Sequence, residues 1–577
     1  MVLRHDETAG TGPDDFVVAS VGFDDDSADR LSQKYAGSIP KAHIKNWPMV
    51  YILTNDEEAY VGQTTSIARR LAQHEANPEK AAFETVNAIY NPQFNASVVV
   101  DYEHRLIDLM QGDGRFELTN RNAGQSDVNY YSRELYAELF EQLWADLRDL
   151  ELVGNSIAAI EQSEAFKFSP FKVLTPDQEF AVQEILAAIT KCLEKPGSTA
   201  APIVVQGVPG TGKTVLAISL LKTLKDLAAS TEPAHAPFRD INVRLLEPVT
   251  GLRETLHRAL AKTRNLSKAD VIGPNDLAKE EFGHRSDGPG FDVVLVDEAH
   301  LLSLRKNLPP LQYRYYDNVT DTLGLAHGAP QIDWVLSQAR VSVFFYDPLQ
   351  AIGPKNVGAE TMRDRLGDSL ETPIVLRSQM RVRGGDDYLA YVRRLLFDQA
   401  AVPQTFSNYE FRLHASFTEF EDLFERTLEE HPLTRMVAGY SWKWVSNGKA
   451  NSHLFDISID GVEKRWNRTF RDWVGKGMRN RDIALEVGCI HSTQGYDLSH
   501  AFVIIGPDLT FDPSCGRIRI DGDRYFDQSG KRGATDADLD TYIKNIYYVL
   551  LTRGIEATHV YVCDRELRRH LARFIET

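Results

Sequence analysis

The sequence predicts an α/β protein in which a small α/β unit precedes two parallel-sheet domains. Apolar runs such as "IVVQGV", "VRLLEP", "DVVLVDE", "VSVFFYD", "TRMVAGY", "FVIIGP" and "HVYVCD" alternate with helical stretches. Alternation of this kind builds parallel sheets flanked by helices. About 400 residues of it exceed one sheet, so two such domains are expected. Near the start, "MVYILT" and "EAYVGQ" alternate as two strands, and "NDEE" turns between them.

Taken in order, residues 1–46 form an acidic segment with one strand candidate, "FVVASVGF". Residues 47–125 form the small unit: the hairpin, a helix from about Ser66, and a helix over "DYEHRLIDLMQGDG" closed by glycines. A long helical run, 126–168, reads as a linker. The first parallel-sheet domain spans 169–370. The second spans 371–577 and begins afresh at "DSLETPIVLRSQMR".

Composition narrows the function classes. Of 577 residues, 43% are apolar and 25% charged, as in a soluble globular protein. No run of 18 apolar residues suggests a membrane span, and "MVLRHDETAGTGPDD" lacks the apolar core of a secretory signal. The four cysteines form no close pair. They suit a reducing, cytoplasmic setting and point away from disulfides or a cysteine zinc site. The net charge of −18 counts weakly against nucleic acid, because binding depends on local positive stripes that a whole-chain sum hides.

"GVPGTGKT" (207–214) follows a strand and opens the helix "VLAISLLKTL", the context a phosphate-binding loop requires. Gly207, Gly210 and Gly212 let backbone N–H groups face phosphates at a helix N-terminus. Lys213 is placed to reach the β- and γ-phosphates of ATP, and Thr214 to ligate Mg²⁺. "FDVVLVDEAH" (291–300) ends a strand in two carboxylates. Asp297 is the expected second Mg²⁺ ligand, and Glu298 the group that polarises the attacking water.

Together with further motifs in order, these residues resemble a superfamily 1 helicase over about 170–577, and more narrowly the Schlafen group 3-like DNA/RNA helicase family. The resemblance implies two RecA-like domains. It implies that Gln178 in "LTPDQ" reads adenine and that "EPVTGLRETL" touches the nucleic-acid backbone. Gln350 in "FFYDPLQAI" would couple the γ-phosphate to the bound strand. Arg381 in "LRSQMRV" and Arg553 in "YYVLLTRGIEATHVYV" would act on the phosphates, Arg553 as an arginine finger. "CIHSTQGYDLSHAFVIIG" resembles motif V. Positive charge from the second domain, closing over a loop on the first, is also what the chemistry needs. Thr250, Thr493 and Gln494 either face nucleic acid or cap loops; the residues leave both readings open.

The hairpin in "VYILTNDEEAYVGQTTSIARRLAQH" resembles the GIY-YIG nuclease family over about 47–125. Met49-Val50-Tyr51 stands for the first tripeptide, with its glycine replaced by Met49, and Tyr60-Val61-Gly62 matches the second. Arg70 has the family's catalytic arginine spacing from Gly62. His74 shares its helix face, being four residues on. Glu103 matches the metal-binding glutamate, and Asn122 the late asparagine. In phosphodiester hydrolysis Tyr51 can orient or deprotonate water, with Tyr60 supporting, while Arg70 neutralises developing charge. Glu103 would hold one Mg²⁺, with Mn²⁺ as an alternative.

The expected activity is therefore an ATP-dependent nuclease-helicase acting on nucleic acid, with DNA favoured over RNA and no membrane partner. Such a fusion suits restriction or antiphage defence by analogy. A partner subunit or homo-oligomer is left open. Two other readings share the motor: a helicase or translocase whose small domain only binds nucleic acid, and an ATP-dependent switch that signals to a partner.

Overall fold

The computed structural model describes residues 15–120 and 130–577 apart from short stretches at 162–165, 167, 173, 196, 262, 352, 380–381, 399–401, 448–450, 452, 470–472 and 494–495. It is an α/β protein with several sheets. Two compact units divide the chain. One comprises Met1–Glu179, Val215–Ile241 and Glu254–Val271; the other comprises Phe180–Thr214, Asn242–Arg253 and Ile272–Thr577. Among the described residues, no helix is long and apolar enough to cross a membrane.

The first unit holds a five-stranded sheet of β1 (Val17–Gly22), β2 (Met49–Thr54), β3 (Glu58–Thr64), β4 (Thr85–Tyr90) and β5 (Glu117–Leu118), in the order β1-β4-β2-β3-β5. All six residues of β2 are buried because helices cover both faces. On one face, Met49, Tyr51 and Leu53 pack with Leu31, Ile44, Ile67 and Leu71 of α1 (Ser27–Lys34), α2 (Lys41–Lys45) and α3 (Ile67–Glu75). On the other, Val50, Ile52 and Val61 pack with α4 (Ala96–Asp113), α5 (Arg133–Asp149) and α6 (Ile157–Glu161). Period-two alternation sorts the strand between the two cores. The Asn95 side chain caps α4 by accepting from the Ser97 and Val98 N–H groups. Gly114, at φ 65°, ends it.

Two sequence expectations change here. Residues 1–46 are more than an acidic segment, because β1 pairs with β4 along its whole length; the sheet reaches back to Val17. The stretch 126–168 is more than a linker. Tyr136, Leu139, Phe140, Leu143, Trp144 and Leu147, spaced at helical period, bury one face of α5 in the same core as β2 and β3. Its helix also stops at Asp149, and Glu151 turns at φ 57°.

The second sheet contains β6 (Ile203–Gly207), β7 (Val243–Leu246), β8 (Val271–Ile272), β9 (Phe291–Val296), β10 (Ala339–Tyr346) and β11 (Ile374–Leu376), ordered β11-β6-β10-β9-β7-β8. Strand β11 runs parallel beside β6. The first parallel sheet thus extends past the boundary expected at 370. The third sheet orders β12 (Glu410–His414), β13 (Arg435–Ala438), β16 and β19 as β12-β19-β16-β13, all parallel. Here β14 is Ile457–Ile459 and β15 Val462–Lys464, a small hairpin; β16 is Leu498–Ile505; β17 (Leu509–Asp512) and β18 (Arg517–Ile520) form a second hairpin; β19 is Gly554–Val562.

If α5 is held by its buried face, Phe140→Ala removes a ring that stands edge-on to Tyr102 at 4.9 Å and should cost about 3–5 kcal/mol. The exposed Leu135 should tolerate alanine within ~0.5 kcal/mol. Hydrogen exchange over 133–149 checks this; equal protection in both variants would mean that face does not anchor the helix.

Candidate functional site

Parallel strands deliver their C-terminal ends to one edge of a sheet, where ligands bind. At the end of β6 the loop 207–214 is tightly wound. A Cβ on Gly207 would fall 2.3 Å from Thr211 Oγ1. Gly210 and Gly212 take φ of 87° and 72°, a region closed to most side chains. Lys213 folds back over its own loop, donating from Nζ to the Gly207 carbonyl at 2.7 Å and the Val208 carbonyl at 3.3 Å. Its Nζ also lies 3.6 Å from Asp347 Oδ2. Asp347, at the end of β10, is fully buried. It accepts from the Leu349 N–H at 3.0 Å and from Gln350 Nε2 at 2.7 Å. The sequence motifs had not singled out Asp347.

The neighbouring strands β7 and β9 end in carboxylates. Leu246 and Val296 are register partners, so the next residues, Glu247 and Asp297, emerge side by side, and Glu298 follows. Burial and then the charges of Asp297 and Glu298 push Glu247 well above the ordinary carboxylate range. Burial and the Glu298 charge also raise Asp297, against a hydrogen bond from Thr214. Glu298 moves the other way: burial opposes its charge, but His300, Lys213 and Arg553 outweigh it. His300 Nε2 is 3.0 Å from Glu298 Oε2. Glu298 sits at φ 44°, a strained position of the kind that clusters at functional sites. Glu247 Oε2 and Asp297 Oδ2 are buried without a hydrogen-bond partner among the described residues. Hard oxygen donors with unused lone pairs, beside the Thr214 hydroxyl, fit Mg²⁺. The signal for Glu247 was present in the sequence: "VRLLE", like "VVLVDE", is an apolar strand ending in an acid.

The third sheet's lobe closes on this edge. Val208 and Leu349 pack against its core. Gln379 Nε2 donates to the Pro209 carbonyl at 2.7 Å, and Asn545 Nδ2 to the Ala351 carbonyl at 2.9 Å. Arg553 is buried and near enough to Glu298 to stabilise its charge. Neither Gln379 nor Asn545 was anticipated. Arg381 and Gln494 lie outside the described residues. Thr493 is buried and turned inward, its hydroxyl donating to the Ile490 carbonyl at 2.9 Å, which is the capping reading. Thr250 opens the helix Thr250–Ala259 and accepts from Arg253 Nη2 at 3.4 Å. Gln178 is buried in the first unit, and its Oε1 accepts from the Thr175 N–H at 2.9 Å.

The first unit assembles a second polar cluster. Tyr51 and Gly62 are partners across β2 and β3, and a Cβ on Gly62 would fall 2.3 Å from the Tyr51 hydroxyl. The ring therefore lies over the glycine, and its oxygen meets α3. Arg70 Nε donates to that oxygen at 3.1 Å, and the same hydroxyl shares a hydrogen bond with His74 Nε2, 2.7 Å away. Burial drives the Tyr51 phenol well above its usual range, so it stays protonated. Burial, then the charges of Arg70 and Lys80, push His74 down to about 4. Tyr60 stands edge-on to His74 at 5.3 Å. Glu103, on α4, is pushed up to about 7 by burial, against a Gln63 backbone hydrogen bond and the Arg70 charge. The structure thus brings Tyr51, Tyr60, Gly62, Arg70, His74 and Glu103 together.

Two residues here escaped the sequence reading. Lys80 Nζ lies 3.4 Å above the Tyr60 ring. The Asn120 side chain clamps β3 at Val61, accepting its N–H at 3.1 Å and donating to its carbonyl at 2.8 Å. Asn122, the expected asparagine, lies outside the described residues. Met49, in place of a glycine, is fully buried in the core under α1 to α3; its side chain fills space there and leaves Tyr51 in register.

A neutral His74 has a pH consequence. The native side chain protonates near 4 and an unperturbed one near 6.5. The unfolded state therefore binds the proton first, and the unit loses stability as pH falls through that window. In ¹⁵N-histidine spectra His74 should remain neutral at pH 5.5; titration at or above 6.5 would contradict the buried Tyr51–His74 pair.

Comparison with known proteins bears on the second unit most. Residues 200–564 match the model of the Schlafen group 3, DNA/RNA helicase domain. The Uncharacterized protein YPL245W of Saccharomyces cerevisiae is 24% identical over 402 residues, which cover 65% of this chain and 84% of that one. Among solved structures, the chain is similar to domain III of the Thermotoga maritima replication initiation protein DnaA, at 16% identity and TM-score 0.18, over 41% of this chain and 75% of that one. It is also similar to a DEAD box protein from the hyperthermophile Methanococcus jannaschii, at 12% identity and TM-score 0.23, over 73% and 94%. With well over half of its length matched, the chain belongs to the Schlafen group 3, DNA/RNA helicase domain family.

Proposed function

We propose that the chain is an ATP-driven motor on nucleic acid, DNA before RNA, whose first unit cuts phosphodiesters. The observation that carries the motor reading is one lysine, Lys213, facing carboxylates at the ends of adjacent parallel strands. In this reading the motor consists of two RecA-like domains, the first ending after β11, and the nuclease domain includes β1. Lys213 exchanges Asp347 and its loop carbonyls for the β- and γ-phosphates. Glu298, held ionised by His300, orients and polarises the attacking water. Arg553 meets the charge that develops on the γ-phosphate. Thr214 and Asp297, with Glu247 beside them, would hold Mg²⁺, which supplies charge neutralisation when bound. Gln350, hydrogen-bonded to the Asp347 that faces Lys213, is placed to report the state of the phosphate site.

The nuclease reading rests on the Arg70–Tyr51–His74 chain beside Glu103. Tyr51 fixes Arg70 so that its outer N–H groups present to a phosphate. Neutral His74 can take a proton through the Tyr51 hydroxyl. Glu103 would hold a divalent cation, Mg²⁺ or Mn²⁺, once substrate supplies further oxygens. The small domain as a passive nucleic-acid grip is the second reading, and the same assay separates them.

Plasmid and single-stranded substrates are incubated with each metal, with and without ATP. Wild type should hydrolyse ATP faster with nucleic acid present, and Lys213→Ala should lower that rate at least ~100-fold. Cleavage should fall ~10²–10³-fold in Arg70→Ala and be abolished in Glu103→Ala. No cleavage by wild type in any condition would leave the small domain as a grip only. ATP hydrolysis indifferent to nucleic acid would sink the motor.

A further inference from the structure

Histidine gathers in the third sheet's lobe, in residues that neither cluster described above uses. His431 ends the helix Phe417–Glu430 as its C-cap, its N–H donating to the Thr427 carbonyl at 2.8 Å. His500 lies on β16 and Glu556 on β19. One potential ligand atom from each side chain lies within 4.8 Å of those of the other two. The imidazole rings of His431 and His500 are 4.4 Å apart at 48°. All three residues are half-buried.

The backbone supplies a reason for the gathering. The register between β16 and β19 jumps from Leu498↔Gly554 to His500↔Ala557. Three steps on β19 therefore face two on β16, which is a bulge. A bulge re-aims a side chain that regular alternation would send elsewhere, and here Glu556 is within it. His500 Nδ1 is buried and has no hydrogen-bond partner among the described residues. An unsatisfied buried ring nitrogen is costly, and a cation would satisfy it.

We propose that His431, His500 and Glu556 form a transition-metal site suited to Zn²⁺, with a fourth position open to water. Two imidazoles and a carboxylate favour Zn²⁺ over Mg²⁺, which prefers oxygen. Around a tetrahedral ion with bonds near 2.1 Å, ligand atoms stand about 3.4 Å apart; small side-chain rotations close the present spacing. Arg383 is the competitor, its Nη2 lying 3.1 Å from Glu556 Oε1; that contact engages one carboxylate oxygen. With three protein ligands the ion would tie these elements together and keep one exchangeable position. The site joins the end of a helix to β16 and β19 three residues beyond Arg553, whose carbonyl accepts from the Leu498 N–H at 3.2 Å. It does not depend on either proposed activity.

The test uses tag-free full-length chain, stripped with chelator and titrated with Zn²⁺ by calorimetry in excess Mg²⁺, then with Co²⁺ followed by visible absorption. One tight equivalent is expected, with a Co²⁺ spectrum free of thiolate charge-transfer bands. Binding should be lost in His431→Asn and His500→Asn and fall at least ~10-fold in Glu556→Gln. Arg383→Ala should bind at least as tightly as wild type. Circular dichroism and melting without metal establish that His431→Asn, at a half-buried helix end, is folded. Zn²⁺ should raise the melting temperature of wild type but not of that variant. No stoichiometric Zn²⁺, a thiolate spectrum, or undiminished binding by a folded His431→Asn would each overturn the site.

Discussion

Negative charge held out of water is the constraint around which the second unit is organised. Glu247, Asp297 and Asp347 are fully buried at the ends of three adjacent parallel strands, and Glu298 follows directly. Lys213 reaches into this group, 3.6 Å from Asp347, and Arg553 acts on Glu298. Buried carboxylates repel one another and lose hydration, so some must hold protons or find positive partners. The raised Glu247 and Asp297 and the depressed Glu298 are two outcomes of that one conflict. A divalent cation would change the sign of the field and let more of the group ionise. The strand order β6-β10-β9-β7 places these ends side by side, which no short stretch of sequence could do alone.

That dependence on pairing explains what the sequence could and could not reveal. Lys213, Thr214, Asp297 and Glu298 were legible because each belongs to a local motif whose spacing is fixed by one turn of backbone. Glu247 and Asp347 each end an apolar run in an acid, but their shared significance comes from which strands are neighbours. Gln379 and Asn545 are harder still, because they act across from another lobe through single hydrogen bonds to carbonyls. In the first unit, Tyr51, Arg70 and His74 could be placed together from hairpin register and helix period. Lys80 reaches the same cluster through a short helical turn that carries no periodic signal. The burial of α5 was not legible for a different reason: an amphipathic helix looks alike whether its stripe covers a sheet or awaits another partner.

Met49 and Gly62 illustrate how one strand pair sorts strict from tolerant positions. Both belong to tripeptides of the same resemblance. At Gly62 a side chain would enter the Tyr51 hydroxyl and displace the group that holds Arg70 and His74. At Met49 the side chain points into the core beneath α1 to α3, where volume is needed. The stricter glycine is the one facing the tyrosine, because its empty space is where the Tyr51 ring lies. A residue's departure from a family pattern is therefore judged by what its Cβ would meet.

Both clusters also hold their positive groups occupied. Lys213 donates to its own loop and faces Asp347; Arg70 donates to Tyr51 and to Gln73 Oε1 at 3.3 Å. Such contacts fix a long side chain whose freedom is otherwise lost on binding. They do so with partners weaker than a phosphate dianion: carbonyls, a phenol, an amide, and a carboxylate at 3.6 Å rather than in direct contact. A phosphate arriving at either cluster exchanges contacts and does not have to create order. In the proposed reactions the cations are thus aimed before substrate is present, and the interactions gained are those that strengthen as charge builds on the phosphate.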